Sequence, residues 1–232
     1  MNAFLQIPEF RRLLAFQQVD AAMGLQAVSV EKDFWVCWTL RELFRLPGIG
    51  EHLTFKGGTS LSKAWKLIER FSEDIDLVIG KEVLGYGGDA APDKAPSNKQ
   101  RKVRLEGLME SCRLWVQGTI RPALAARITE ALGNSEWKLE VDPEMADGQC
   151  LLFHYPSLFP PGSAGYVRPV VKIELGACSD NWPHETKTIQ PYVIEHFPVL
   201  DSEAAFPVQV LSAECTFLEK GMSAAQGNLL PY

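Results

Sequence analysis

Asp74 and Asp76 alternate with Ile75 and Leu77. In an extended chain that period of two sends both carboxylates to one face and both apolar side chains to the other. Two like charges side by side are costly unless a cation neutralises them, and a hard ion such as Mg²⁺ prefers carboxylate oxygens while keeping places for water and phosphate. Upstream, Gly57-Gly58-Thr59-Ser60 interrupts the short apolar stretch Leu53-Thr54-Phe55. Glycines let backbone amides approach an anion, a helix start adds unpaired N–H groups, and Thr or Ser hydroxyls donate to phosphate oxygens. Lys56 and Lys63 flank this turn and are further candidates for holding phosphate. The pattern points to a polyphosphate and a divalent ion, Mg²⁺ or Mn²⁺, meeting at one place. A third carboxylate on a neighbouring strand would complete a two-metal clamp that activates a hydroxyl and stabilises leaving pyrophosphate. Glu174, on a stretch that alternates Val171, Ile173 and Leu175 with Lys172, is that candidate.

The elements that must position these groups can be read from apolar spacing. Phe4 to Met23 reads as one or two helices, and Val30 to Phe44 as a helix whose aromatic stripe, Phe34, Trp35 and Trp38, belongs to the core. Leu53 to Phe55 reads as a strand, Leu61 to Ile68 as a helix and Phe71 to Ile79 as a second strand. Gly80 to Gln100, rich in Gly, Pro and Asp, reads as a long mobile surface loop. Lys99 to Leu132 is helical by pattern, with a break or new start at Pro122. Trp137 to Val141, Leu151 to Tyr155 and Tyr166 to Leu175 read as a three-stranded extension. Ile189 to Phe197 and Val208 to Leu211 are further strand expectations, and Ala213 to Ala225 is a closing helix.

Composition excludes several classes. Of the 232 residues 46% are hydrophobic and 22% charged, which is the ordinary globular range, and a chain of this size buries about 70% of its unfolded surface. The formal charge of -6 offers no general attraction for nucleic acid, so any polyanion contact must be local. The run Lys99, Arg101, Lys102 and Arg104 could make such a contact with an RNA backbone or be a solvated helix face. Five single cysteines without a CxxC pair argue against a disulfide framework or zinc cluster and fit a reducing cytoplasm. No apolar run reaches the roughly 18 to 20 residues of a membrane span, and Met1 to Arg12 lacks the order of a signal peptide. His52, His154, His184 and His196 have no metal-ligand spacing, and no GxSxG elbow or cysteine signature suggests covalent catalysis.

The stretches Phe55-Lys56-Gly57-Gly58-Thr59-Ser60-Leu61-Ser62-Lys63-Ala64 and Arg70-Phe71-Ser72-Glu73-Asp74-Ile75-Asp76-Leu77 resemble the AbiEii/AbiGii-type toxin nucleotidyltransferases. These belong to the DNA polymerase beta-like nucleotidyltransferase superfamily. Glu31-Lys32-Asp33-Phe34-Trp35-Val36 looks like the family's upstream helix, Val171 to Leu175 like its third-acid strand, and Ala213 to Lys220 like its later helix with a functional lysine. The resemblance implies an α+β nucleotidyltransferase fold, a mixed central β-sheet flanked by helices, forming one domain over residues 1–232. Its parts are N-terminal helices (1–50), the glycine and Asp-x-Asp core (51–80), the loop (80–100) and the remainder (101–232). It further implies transfer of a nucleoside monophosphate from a nucleoside triphosphate to a hydroxyl of RNA, such as a tRNA end, or of protein. Asp74, Asp76 and Glu174 would bind metal, Lys220 would act on the phosphates, and Ser72 would join the nucleotide site. An antitoxin encoded nearby is the expected partner. In relatives the lysine-bearing helix continues into a region with a further acidic motif, whereas this chain ends twelve residues after Lys220. The corresponding expectation is a C-terminal helical region cut short, with an impaired nucleotide- and metal-binding module as the alternative to an active enzyme.

Overall fold

The computed structural model describes residues 1–68, 74–160 and 167–219. Seven strands form one mixed sheet: β1 (Leu53–Lys56), β2 (Asp74–Ile79), β3 (Lys138–Val141), β4 (Cys150–His154), β5 (Val170–Gly176), β6 (His184–Ile189) and β7 (Phe206–Leu211). Their spatial order is β3-β4-β5-β2-β1-β7-β6. β2 runs antiparallel to β1 and parallel to β5, and β1 runs parallel to β7. The expected mixed sheet with flanking helices is therefore the observed fold, and the three-stranded extension is β3-β4-β5 at one end of it.

Alternation divides the sheet into two unlike faces. Phe55, Ile75, Leu77, Leu151, Phe153, Val171, Ile173 and Leu175 are buried on one side. This face packs against α3 (Ala27–Phe44) and α5 (Asn98–Trp115). Trp35 stacks on Tyr155 with ring centroids 5.4 Å apart, and Trp38 meets Phe153 at 6.0 Å. The other side carries Lys56, Asp74, Asp76, Lys172 and Glu174, so the polar residues of the alternation share one face.

α3 is buried nearly all round although it carries five charged residues. Burying charge is tolerable only when each group finds partners. Glu31 accepts bonds from Ser157 Oγ (2.6 Å) and Leu158 N (2.7 Å), and Asp33 pairs with Lys63 (2.9 Å) and accepts from Tyr192 N (2.7 Å). Glu42 lies between Arg41 (2.8 Å) and Arg127 (2.9 Å) of α6 (Arg121–Leu132). These pairs tie α3 to the segments around it.

The N-terminal reading resolves into α1 (Asn2–Leu5) and α2 (Glu9–Met23), with Pro8 at the boundary. α5 and α6 are joined by a π turn, Val116–Ile120, and Pro122 sits at the start of α6, where its missing N–H is harmless. Three expectations need correction. The helix expected to begin near Leu61 is α4 (Gly57–Lys63), which starts at the glycines. It stops before Trp65, because Lys66 takes φ 54° and Trp65 Nε1 turns to Leu211 O (3.0 Å). The strand expected at Ile189 to Phe197 is the end of β6 followed by α7 (Tyr192–His196), with Pro191 capping the helix. The segment after β2 carries more local structure than a plain loop reaching Gln100. Gly88–Ala90 and Pro92–Lys94 form 3-10 turns, Arg104 Nη1 donates to the carbonyls of Asp89 (2.7 Å) and Ala91 (2.9 Å), and α5 already begins at Asn98. The closing helix is seen over 213–219, and its expected continuation lies outside the described residues. Among the described residues no helix is long and apolar enough to cross a membrane.

Phe153 touches Trp35, Trp38 and Tyr155 and is fully buried. Phe153→Ala is expected to destabilise the fold by about 3–5 kcal/mol, read as a lower denaturant midpoint with an unchanged slope.

Candidate functional site

Backbone pairing brings the singled-out charges together. Lys56 faces Asp76 across β1 and β2, Asp76 faces Glu174 across β2 and β5, and Asp74 faces Lys172. The polar face thus carries one row Lys56, Asp76, Glu174 and a second row Asp74, Lys172. Like charges directly opposite on neighbouring strands repel. The consequence falls on Asp76: burial first, then the charge of Glu174, its hydrogen bond and the charge of Asp74 push this carboxyl up to about 6, while Lys56 pulls the other way.

The glycine turn is built against that carboxylate. Gly57 has φ 78°, and a Cβ there would lie 1.8 Å from Asp76 Oδ2. Glycine is required on both counts: the left-handed backbone and the space already filled by the acid. Gly58 is buried in the first turn of α4. The hydroxyls serve the turn itself, since Thr59 Oγ1 donates to Asp74 O and Ser60 Oγ to Gly57 O (2.8 Å). Thr59 thereby ties the start of β2 to α4.

Lys56 points to the carboxylate side, where its ammonium meets Glu219 Oε2 (2.8 Å) and donates to Ser179 Oγ (2.7 Å). Lys63 departs from the expectation. Its ammonium is buried in the ion pair with Asp33 and lies 3.5 Å from the centroid of the Tyr192 ring. The helical period turns Lys63 inward, away from the phosphate turn, and makes it an anchor of α4 on α3. Burial alone would lower its pKa, but the charge of Asp33 overrides this and raises it, so the ammonium is retained. Lys220 and Ser72, with their neighbours Arg70, Phe71 and Glu73, lie outside the described residues.

Two hollows open on this face. A small one of about 200 Å³ is lined by Lys56, Asp76, Glu174, Asp147 and Gln149. A larger cleft of about 650 Å³ begins at Asp74 and is lined by Lys32, Arg168, Lys172 and His154 together with Asp142 and Glu144. Lys32, Arg168 and Lys172 were not singled out from the sequence. Lys172 left a signal there, because the alternation that picks out Glu174 puts Lys172 on the same face, and Lys32 lies in the stretch that resembles the family's upstream helix.

Sequence comparison bears on the same segment. The family model described as nucleotidyl transferase AbiEii toxin, type IV toxin–antitoxin system, matches residues 38–228. The chain belongs to this family. The matched span holds the whole sheet, the glycine turn and all three acids of the AbiEii-family chain. A comparison with curated proteins finds no match.

Whether these residues suit a divalent ion can be judged from the donors. Asp74, Asp76 and Glu174 offer carboxylate oxygens alone, the donor type of hard ions, and after burial the charges of Glu174 and Asp74 add to the upward push on Asp76, a repulsion that a cation would relieve. Among the described residues, however, no three His, Cys, Asp or Glu side chains converge as a metal cluster. Glu174 is shared between a hydrogen bond with Asp76 and Lys172, whose ammonium lies 2.6 Å from its Oε1. The donor chemistry fits, and side-chain rearrangement is needed for all three acids to act together.

Two outcomes follow. A carboxyl raised from 3.8 to about 6 holds more protons in the folded than in the unfolded chain between those values, so it lowers stability as pH rises through that window. Asp76→Asn is therefore expected to stabilise the protein by about 2 kcal/mol near pH 7.5, with the gain vanishing toward pH 4 in thermal melts. Gly57→Ala should cost at least about 1–3 kcal/mol in the same measurement, because Asp76 must move away.

Proposed function

We propose that the chain is a Mg²⁺-dependent nucleotidyltransferase that transfers a nucleoside monophosphate from a nucleoside triphosphate to a hydroxyl. As the toxin of a toxin–antitoxin pair it would have an RNA acceptor such as a tRNA end, with a protein hydroxyl as the other candidate. One observation supports this reading above the rest. Asp76, beside Glu174 and Asp74 and pushed up to about 6 by burial and their charges, packs directly against the glycine turn.

In this reading the turn at Gly57 and Gly58 seats the triphosphate next to the acids, and Asp74, Asp76 and Glu174 hold the divalent ion. Mn²⁺ would serve equally. When bound, such an ion would supply charge neutralisation on the phosphates and acidify the acceptor hydroxyl. Lys56, at the row's end, is placed to turn from Glu219 toward phosphate oxygens. The acceptor oxygen bonds to the α-phosphorus as the bond to the bridging oxygen of the β-phosphate breaks. Pyrophosphate leaves with that electron pair, and the acceptor proton passes to the carboxylate face. Lys220 and Ser72 enter by family resemblance alone, as a phosphate contact and a nucleotide contact. Thr59 and Ser60 contribute by shaping the turn.

A second reading is a module that binds nucleotide and metal without transfer, and the pairing of Glu174 with Lys172 favours it. One assay separates the two. With each α-labelled nucleoside triphosphate, Mg²⁺ and total tRNA, label is expected to enter RNA. Asp74→Ala and Asp76→Ala should each reduce transfer by about 10²- to 10³-fold. Nucleotide binding with no transfer to RNA or protein would favour the module.

A further inference from the structure

Lys172 belongs to two places at once. Its ammonium lies 2.6 Å from Glu174 Oε1, in a pair whose side chains are 30% and 41% exposed. Its partner across the strands is Asp74. The same side chain lines the cleft of about 650 Å³ that begins at Asp74, beside Lys32 and Arg168. Residues two apart on a strand are about 6.6 Å apart, so a flexible four-carbon stem can carry its charge either forward to Glu174 or back toward Val170 and the cleft.

Half-exposed ion pairs hold weakly and exchange with competing ions. A divalent ion on the three acids would carry twice the charge of the ammonium and would repel it at short range. Lys172 also lines the cleft, whose lining includes Lys32 and Arg168 together with Asp142 and Glu144. A guanidinium with two ammonium groups matches a phosphate of an acceptor chain better than a lone carboxylate.

We propose that Lys172 is an exchangeable counter-ion, pairing with Glu174 until a divalent ion takes the acids, then moving into the cleft to hold a phosphate of the acceptor with Arg168 and Lys32. This rests on the nucleotidyltransferase reading above. It makes loading of the acids and capture of the acceptor mutually reinforcing, since coupling between two binding events is reciprocal. The acceptor phosphate would meet its full complement of cations only once the acids are loaded.

The test uses the full chain, Lys172→Met, and Lys187→Met as a charge control from the pair Lys187–Glu185 on β6. Mn²⁺ binding is measured by calorimetry without nucleotide or acceptor. Binding of a fluorescently labelled short single-stranded RNA is measured by anisotropy at constant ionic strength. Lys172→Met is expected to bind Mn²⁺ about three- to tenfold more tightly than the parent chain, with Lys187→Met unchanged. Mn²⁺ should tighten RNA binding by the parent chain and by Lys187→Met, and this enhancement should be lost in Lys172→Met. Equal Mn²⁺ affinity in the parent chain and Lys172→Met would overturn the exchange and leave the nucleotidyltransferase reading standing. Mn²⁺-enhanced RNA binding that survives in Lys172→Met would overturn the role in the cleft. Absence of Mn²⁺ binding from every variant would overturn both this proposal and the reading beneath it.

Discussion

Repulsion among carboxylates on adjacent strands is the constraint around which the polar face of this protein is arranged. Parallel pairing of β2 with β5 puts Asp76 opposite Glu174, with Asp74 two residues along the same face. A sheet places such partners about 5 Å apart and cannot relax by sliding, because a one-residue slip would turn every apolar partner out of the core. The charge must instead be managed where it stands. Lys56 and Lys172 do so from the two flanks, and Asp76 does so by holding its proton to about 6. A site built this way is less stable than an apolar or amide-bearing equivalent, as is common where binding groups are held close before the ligand arrives.

The rest of the fold ties that arrangement down through direct contacts. Gly57 lies over the Asp76 carboxylate in a conformation closed to other residues, and Thr59 ties α4 to the backbone of Asp74. α4 in turn is anchored by Lys63, whose ammonium reaches Asp33 in the middle of a buried helix. Asp33 also receives the first N–H of α7, so one carboxylate joins three helices beneath the glycine turn. Neighbouring Glu31 holds the chain at Ser157 and Leu158. Two acids two residues apart on α3 therefore fasten different parts of the structure around the site.

Membership of the AbiEii family gives this face its context. The glycine turn and the acids lie within one short stretch of sheet, with a hollow on each side of the acidic row. The smaller is lined by Asp76 and Glu174 beside Lys56, and the larger by Asp74 beside Lys172, so the two open onto different carboxylates of the same face.

The sequence alone determined the order of strand, glycine turn, helix and acidic strand, and the pointing of Asp74 and Asp76 to one side. Both depend on local backbone geometry, on the conformational freedom of glycine and on the period of two along a strand. It also identified the α3 aromatics as core, because burial energy follows side-chain type. Tertiary structure alone decided which strand lies next to β2, and so that Glu174 meets Asp76 and that Lys172 comes with it. Strand neighbours are chosen by packing between segments nearly a hundred residues apart in the chain, and no local pattern records that choice. For the same reason Lys63 reads as a phosphate ligand from its place beside the glycines, whereas the structure turns it inward to Asp33. Spacing along one helix or strand says which residues share a face, but the partner that covers that face is settled only when the elements pack.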